Sequence, residues 1–446
     1  MTISSESKAF FKRMKRLSPP IILQEILNAL VNIIGIIMVG RAMEINEITA
    51  VGIANQIFLS YTLVMVGIVG GCSVFIGQYY GKGDSESIYK VLGIGFTFTM
   101  LITFAFFVVA FFYPKILISA YTRNTEVIIL GASYIRVVVF SYFLFAFVFL
   151  RNVAMRNMGY IHFPMITTGI TLCISFIFHY IFIFLLQAPL HIVALAPIIA
   201  RIFEILVQEF CIRRYNIPIR APIKKYFCFD WQYIKNFFKV SIYIVLNMIT
   251  RAIAVSGYMI AYGFMGIQAQ AAVQISNAML QLLQISASSI GISTGIIMSN
   301  TLGAGKIKLA IKYSRICIMF GIVVSMILGV LFIIFAPFFV AFYRVDPQVE
   351  HYIIRIIYIA SFGMILRTIN FINIGGILRG GGDTKFCFIL VLISVVFIGL
   401  PLSFAGAIWW QLPVYWVVGL VYVEEAFKAV LGLKRVFTNK WANRLV

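Results

Sequence analysis

The chain has 446 residues, 62% hydrophobic and 11% charged, against about 25% charged in ordinary soluble domains. That composition leaves too little polar surface for a soluble enzyme or a nucleic-acid-binding protein. The net charge of +21 is therefore read as the basic bias of membrane loops.

Residues 1–20 are basic, and Phe10, Phe11, Met14 and Leu17 fall near one face of a helix. An interfacial helix and a basic tail are both open readings, and nothing in the segment reads as a cleavable signal. Apolar runs follow at 21–40, 50–77, 91–112, 127–150, 164–186 and 190–212. Each approaches or exceeds the roughly 20 residues that cross a bilayer. Lipid offers the backbone no hydrogen-bond partner, so each is expected as a helix. Together they make an N-lobe, 21–212. A basic linker, 213–236, comes next: from Arg213 to Lys239, seven Lys and Arg stand against Asp230 alone. A C-lobe, 237–433, holds six more runs, at 237–262, 270–299, 312–340, 350–374, 386–406 and 412–433, and a tail covers 434–446. The expected fold is an all-α polytopic membrane protein, twelve transmembrane helices in two pseudo-symmetric six-helix lobes.

The two lobes repeat one another. Ala50, Val51, Ile53 and Asn55 recur as Ala272, Val273, Ile275 and Asn277, and Gly81 and Gly83 recur at the same offset as Gly303 and Gly305. Pro114, Arg156, Gly159 and Phe163 recur as Pro337, Arg379, Gly382 and Phe386, after the offset has slipped by a single position. A register held over so long a stretch fits the internal repeats of transporters. Loop charges set the orientation. Lys8, Lys12, Arg13, Lys15 and Arg16, the linker, Lys306, Lys308, Lys312 and Arg315, and the tail carry the cations, whereas Arg344 and the other alternate-loop cations are offset by acids. Both termini are expected in the cytoplasm of a multi-pass cell-membrane protein.

In the eighth run Gln270, Gln274, Asn277, Gln281, Gln284 and Ser288 are spaced by three or four positions, which puts them on one helical face. Amides facing lipid are costly, so this face looks into a wet cavity or into helix–helix hydrogen bonds. Gln24, Asn28 and Asn32 form a weaker stripe in the first run. Asn247 and Arg251 lie in the seventh, and Arg367, Asn370 and Asn373 in the tenth. The candidate substrate-binding residues are Arg251, Asn277, Gln281, Gln284, Gln274, Asn28, Asn55, Asn247, Arg367 and Asn370. A mid-membrane Arg needs a partner or water. Arg251 and Arg367 either meet a substrate anion or pair with Glu204, Glu209, Glu424 or Glu425.

No hydrolase, kinase or metal motif is found, and the six cysteines make no C-x-x-C pair. The chain is therefore not expected to be an enzyme and calls for no cofactor. His179 inside the fifth run reads as a satisfied core histidine or a proton carrier. Leu378–Lys385, with its GGGD, lacks the G-K-[ST] ending of a phosphate loop and reads as a tight turn.

Pro20, Met38-Val39-Gly40, Ala50-Val51-Gly52, Gln78 to Asp84 and Leu378 to Thr384 together make the chain resemble the multidrug and toxic compound extrusion (MATE) family over nearly its whole length. The resemblance implies two lobes across a central cavity, working as a secondary active exporter of small organic solutes by alternating access, coupled to Na⁺ or H⁺. The chain departs from the family where coupling carboxylates are expected, with Gly35 in the first run, Arg251 in the seventh and about Thr368 in the tenth. An anionic or zwitterionic substrate is therefore expected, and a coupling ion is in question. A flippase of lipid-linked precursors, from the wider superfamily, is the alternative. The expected partners are a small-molecule substrate and the lipid bilayer, with no nucleic acid, and the chain is expected to be a monomer.

Overall fold

Apolar runs of this length leave the backbone one way to satisfy itself, and every long run is helical. The structure, a computed structural model, describes residues 5–227, 231–340 and 346–446; Cys228, Asp230 and Arg344 lie outside them. The helices are α1 (Ser5–Ala42), α2 (Ile45–Lys82), α3 (Ser85–Phe112), a bent α4 (Thr125–Val138 and Phe140–Asn157, 47° apart), α5 (His162–Leu185) and α6 (Leu190–Arg214). After the short helix Ile223–Tyr226 come α7 (Trp231–Gly263), α8 (Ile267–Gly303), α9 (Ile307–Val340), α10 (Pro347–Leu378), α11 (Thr384–Trp409) and α12 (Val414–Phe437).

Among the described residues, ten of these are long and apolar enough to cross a membrane, eleven with the bent α4. The twelfth, α12, has 24 residues, about 36 Å of helix. It stays outside that count because Glu424, Glu425 and Lys428 sit near its middle. The chain is an all-helical polytopic membrane protein.

Local chemistry explains the helix ends. Asp84 accepts a hydrogen bond from the Ser87 amide at 3.0 Å to open α3, and Asn124 and Asp346 cap α4 and α10 in the same way. Gly83 and Gly305 (φ +82° and +74°) and Gly159 and Gly382 (φ +83° and +77°) take left-handed turns that only glycine enters freely. These are the glycines that the repeat pairs, so the duplication is visible in backbone conformation as well as in sequence. Leu378–Lys385 is such a turn.

The chain divides into two compact units. The N-terminal unit holds residues Pro19–Ile76 and Asp84–Phe238. Its core includes Tyr61 and Tyr142, stacked at 4.8 Å. The Tyr61 hydroxyl donates to the Tyr142 carbonyl at 3.0 Å and lies 2.8 Å from the Thr103 hydroxyl. The C-terminal unit holds Lys239–Val446 together with Met1–Ser18 and Gly77–Gly83. Helix α1 changes unit at Pro19 and Pro20, two residues that each withhold a backbone donor.

Phe10, Met14, Leu17 and Ile21 on α1 are buried. Phe10 packs on Tyr313 of α9 at 5.3 Å between ring centroids. The segment is helical, with Phe10, Met14 and Leu17 of its apolar face turned into protein, where an interfacial helix would turn them to lipid, and Phe11 exposed.

Candidate functional site

The C-terminal unit gathers its charges on three helices. On α12, Glu424, Glu425 and Lys428 share one face, because Lys428 follows the two acids at helical spacing. Lys428 pairs with Glu424 at 2.6 Å and with Glu425 at 3.2 Å. From α10, Arg367 Nε lies 3.6 Å from Glu425, and Asn370 Nδ2 donates to the Glu425 carboxylate at 2.7 Å and to its carbonyl at 2.8 Å. From α7, the Tyr258 hydroxyl donates to Glu424. Arg251, two turns earlier on α7, stands over the Phe371 ring with its guanidinium 5.3 Å from the centroid.

Arg367 pairs with Glu425. Arg251 has no ion pair among the described residues and is exposed. The other two glutamates named above are occupied elsewhere: Glu204 by Arg201 at 2.6 Å, Glu209 by Arg151 and Arg213 at 2.8 and 2.9 Å. The cluster of Arg251, Arg367 and Lys428 against Glu424 and Glu425 carries one net positive charge. An aromatic face stabilises a cation by about 0.5–2 kcal/mol without neutralising it, so Arg251 keeps its charge available.

The backbone beside Arg251 is unusual. Phe371–Leu378 of α10 winds as a wide π-helical turn, a form that recurs at functional sites. Close packing on α8 accompanies it. A side chain at Gly291 would come 2.6 Å from the Phe371 carbonyl, and one at Gly376 would come 2.8 Å from the Gly291 carbonyl. Within the turn, buried Asn373 has no hydrogen-bond partner for either amide atom, and Asn370 has none for Oδ1, among the described residues. Such groups are normally met by water or a ligand.

The α8 amides divide as the spacing predicts. Ala269, Ala272, Val273, Ser276, Leu280 and Leu283 are buried and form the packed face. Gln274, Asn277 and Gln281 are exposed, and Gln270, Gln284 and Ser288 half-buried, on the other. No side-chain hydrogen bond to another helix ties down Gln274, Asn277, Gln281 or Gln284 among the described residues.

The remaining candidates scatter. Asn247 is buried and donates to the Cys387 carbonyl at 3.2 Å, a helix-to-helix bond. Asn28 and Asn55 are half-buried in the N-terminal unit, and the Asn32 side chain lies outside the described set. Gln24 is buried, held by Arg156 Nε at 2.9 Å, while Arg156 also pairs with Glu25 at 2.9 Å. His179 Nδ1 bonds the Ser175 carbonyl at 2.7 Å and so carries the proton there. Its Nε2 would sit 3.1 Å from a side chain at Gly35, so the imidazole occupies the ground a residue there would need. Tyr258, Phe371 and the Lys428 bridge between the two glutamates escaped the sequence reading. The helical step from Glu424 to Lys428 was a usable signal; the tyrosine and phenylalanine, among 22 and 42 of their kinds, gave none.

The MatE family model matches residues 20–181 and 240–405. A probable multidrug resistance protein of Bacillus subtilis (strain 168), YoeA, is 20% identical over 98% of this chain and 97% of its own. A probable multidrug resistance protein of Thermotoga maritima, NorM, is 21% identical over 89% and 86%. Among solved structures, an outward-facing multidrug resistance MATE transporter of the MOP superfamily aligns with TM-score 0.86 and 15% identity over 96% of both chains. A MOP superfamily transporter from Pyrococcus furiosus, described by the reverse polarity of its binding pocket as suggesting a different function, aligns with TM-score 0.84 and 16% identity over 96% of both.

Proposed function

The chain belongs to the MatE family and is a secondary transporter, and from that premise we propose that it exports small anionic or zwitterionic organic solutes, with Arg251 as the counter-charge. The observation that carries this reading is the state of Arg251. It is exposed and stacked on Phe371, with no ion pair among the described residues, while the other cations of its cluster are paired. A fixed positive charge in a cavity of low dielectric repels Na⁺ and organic cations and attracts anions.

The rest of the cluster supplies position. Glu425 is held by Arg367, Lys428 and Asn370, which makes Arg367 a scaffold charge. The amides of Gln274, Asn277, Gln281 and Gln284 offer both donors and acceptors, suited to varied polar solutes. Asn247 and Asn370 act through helix contacts. Both termini facing the cytoplasm, a single-chain working unit and alternating access complete the reading. The multidrug names of the relatives and the reverse-polarity description of a structural neighbour support efflux and an altered pocket charge respectively.

Reconstitution into proteoliposomes with a panel of anionic, zwitterionic and cationic solutes tests it. The wild type moves anions or zwitterions, and Arg251→Gln folds normally but loses their binding by about 10-fold or more, the worth of one charge-assisted contact. Export of a monovalent organic cation, with Arg251→Gln indifferent to it, overturns the proposal. Flipping of a lipid-linked anion with no export of soluble solutes selects the flippase instead.

A further inference from the structure

Two basic segments from opposite halves of the sequence meet on one surface of the C-terminal unit. On α1, Lys8, Lys12, Arg13, Lys15 and Arg16 are exposed, while the opposite face of the same turns is buried through Phe10, Met14 and Leu17. At the start of α9, Lys306, Lys308 and Arg315 are exposed. The fold joins the two: Phe10 packs on Tyr313, Phe11 reaches Phe320 at 6.1 Å, and Lys312 pairs with Glu6. Glu6 is the one acid in either segment, and Lys312 already holds it. A recess of about 700 Å³ opens where they meet, lined by Glu6, Lys306, Lys308 and Lys312. At its edge a side chain on Gly305 would meet the Arg444 guanidinium at 3.9 Å.

A bias of charge for membrane insertion needs cations near the ends of spans; it does not need two distant groups packed side by side. Uncompensated cations gathered on one surface repel one another over a Debye length, and that repulsion needs counter-charge. The amphipathic turns of α1 sharpen the point. Phe10, Met14 and Leu17 of their apolar face are buried, so what these turns present to the solvent and the adjoining leaflet is five cations beside Ala9 and Phe11. Lys and Arg clustered at the end of a membrane span are drawn to acidic lipid.

We propose that this surface, formed by α1 residues 8–16 and by residues 306–315 at the start of α9, binds the headgroups of anionic phospholipids of the adjoining leaflet. The lipid phosphates supply the counter-charge that the chain itself lacks there, and they hold the N-terminal turns of α1 on α9.

The test uses the full chain in nanodiscs of phosphatidylcholine with rising fractions of phosphatidylglycerol, read by thermal unfolding and by lipid retention in native mass spectrometry. The wild-type midpoint should rise with the phosphatidylglycerol fraction and retain the lipid after gentle delipidation, and the shift should shrink as salt is added. Lys8→Gln/Lys12→Gln/Lys306→Gln/Lys308→Gln should lose half of that shift or more. Lys115→Gln/Arg123→Gln, which removes cations elsewhere, should keep it. An equal shift in the quadruple variant, or none in the wild type, overturns the proposal. So does the same shift from inorganic phosphate in pure phosphatidylcholine, which would make the ligand a soluble anion. Solute export plays no part in these readouts, so the outcome is independent of the substrate's charge.

Discussion

Two arginines at matching places in the repeat keep different company. Arg156, in the N-terminal unit, is buried, with Gln24 and Glu25 on its guanidinium. Arg379, its counterpart in the second copy, is half-buried, and its guanidinium has no hydrogen bond or ion pair among the described residues. Helix α7, which stands in the second copy where α1 stands in the first, has no acid to match Glu25. One copy has cation and carboxylate; the other has the cation without the carboxylate. The pattern holds beyond this pair. In the N-terminal unit Arg151, Arg156 and Arg201 meet Glu209, Glu25 and Glu204. In the C-terminal unit Arg367 and Lys428 hold Glu424 and Glu425, and Arg251 and Arg379 have no ion pair among the described residues. A half with its charges closed can serve as scaffold. Under the proposed function, the half with cations left over is the one that receives the anion.

The comparison breaks most directly at its two arginines. Removing Arg156 takes a charge-assisted partner from buried Gln24 and from Glu25, whose side chain is 29% exposed, at a cost of about 1.5–3 kcal/mol. Arg156→Ala should show that loss in denaturant or thermal unfolding, because Glu25 and Gln24 lose their partner together. Arg379→Ala strands no carboxylate and should cost about 1 kcal/mol or less. Equal losses would mean that Arg379 is held by something other than charge, and the asymmetry between the copies would vanish.

Glu425→Gln pushes the open half further open. The amide keeps the shape and can still accept from Asn370, but Arg367 and Lys428 lose a charged partner, worth about 1.5–3 kcal/mol for a charge-assisted bond. The cluster around Arg251 then gains one net positive charge. Stability should fall while affinity for an anionic solute rises, read by equilibrium binding on the same preparation. A fall in both would make Glu425 part of the substrate site.

How much of this was legible follows from what each feature depends on. Helices depend on local apolarity, and twelve runs became twelve helices, although α12 carries too much charge to count as a span on apolarity alone. The α8 stripe is a periodicity within one element, and its amides share one face, opposite the packed one. Repeated glycines carried their left-handed turns with them. Partner choice is another matter. Glu425 of α12 meets Arg367 of α10, and no spacing rule within either helix says which of two arginines it takes. The aromatic beneath Arg251 is set by the wide turn at Phe371, a backbone irregularity with no mark in composition. Gly35 was legible as a missing acid, but His179 standing against it was visible only in three dimensions.

The repeat also makes two contacts that are each other's image. A side chain at Gly81 would strike the Asn300 carbonyl, and one at Gly303 would strike the Gln78 carbonyl. Gln78 and Asn300 are themselves counterparts, at the offset that separates Gly81 from Gly303. Neither obstacle is a flexible side chain, so Gly81→Ala and Gly303→Ala should each cost about 1–3 kcal/mol through forced backbone movement. Here the two copies should behave alike, which separates features the duplication preserved from the charges it did not. Gly35→Ala is the milder case, since its neighbour is the His179 ring at 3.1 Å and a ring can shift slightly. A large loss at only one of Gly81 and Gly303 would show that the image is imperfect.

The smallest effect is expected at a pair that lies outside the spans. Lys225 Nζ is 3.0 Å from Glu86, with both side chains more than half exposed. The Glu86 carboxylate raises the Lys225 pKa above its ordinary value. A raised lysine contributes its stability at pH values below the unfolded-state pKa, about 10.4, and loses it as pH climbs through the raised value. The sign therefore favours the pair at neutral pH, but water and salt screen it to almost nothing. Lys225→Ala, Glu86→Ala and the double variant should all unfold at the wild-type midpoint near neutral pH. That makes them the control for Arg156→Ala: a cation and a carboxylate at a similar distance, differing in burial. If the exposed pair cost as much as the buried one, the loss at Arg156 would belong to the ion pair itself.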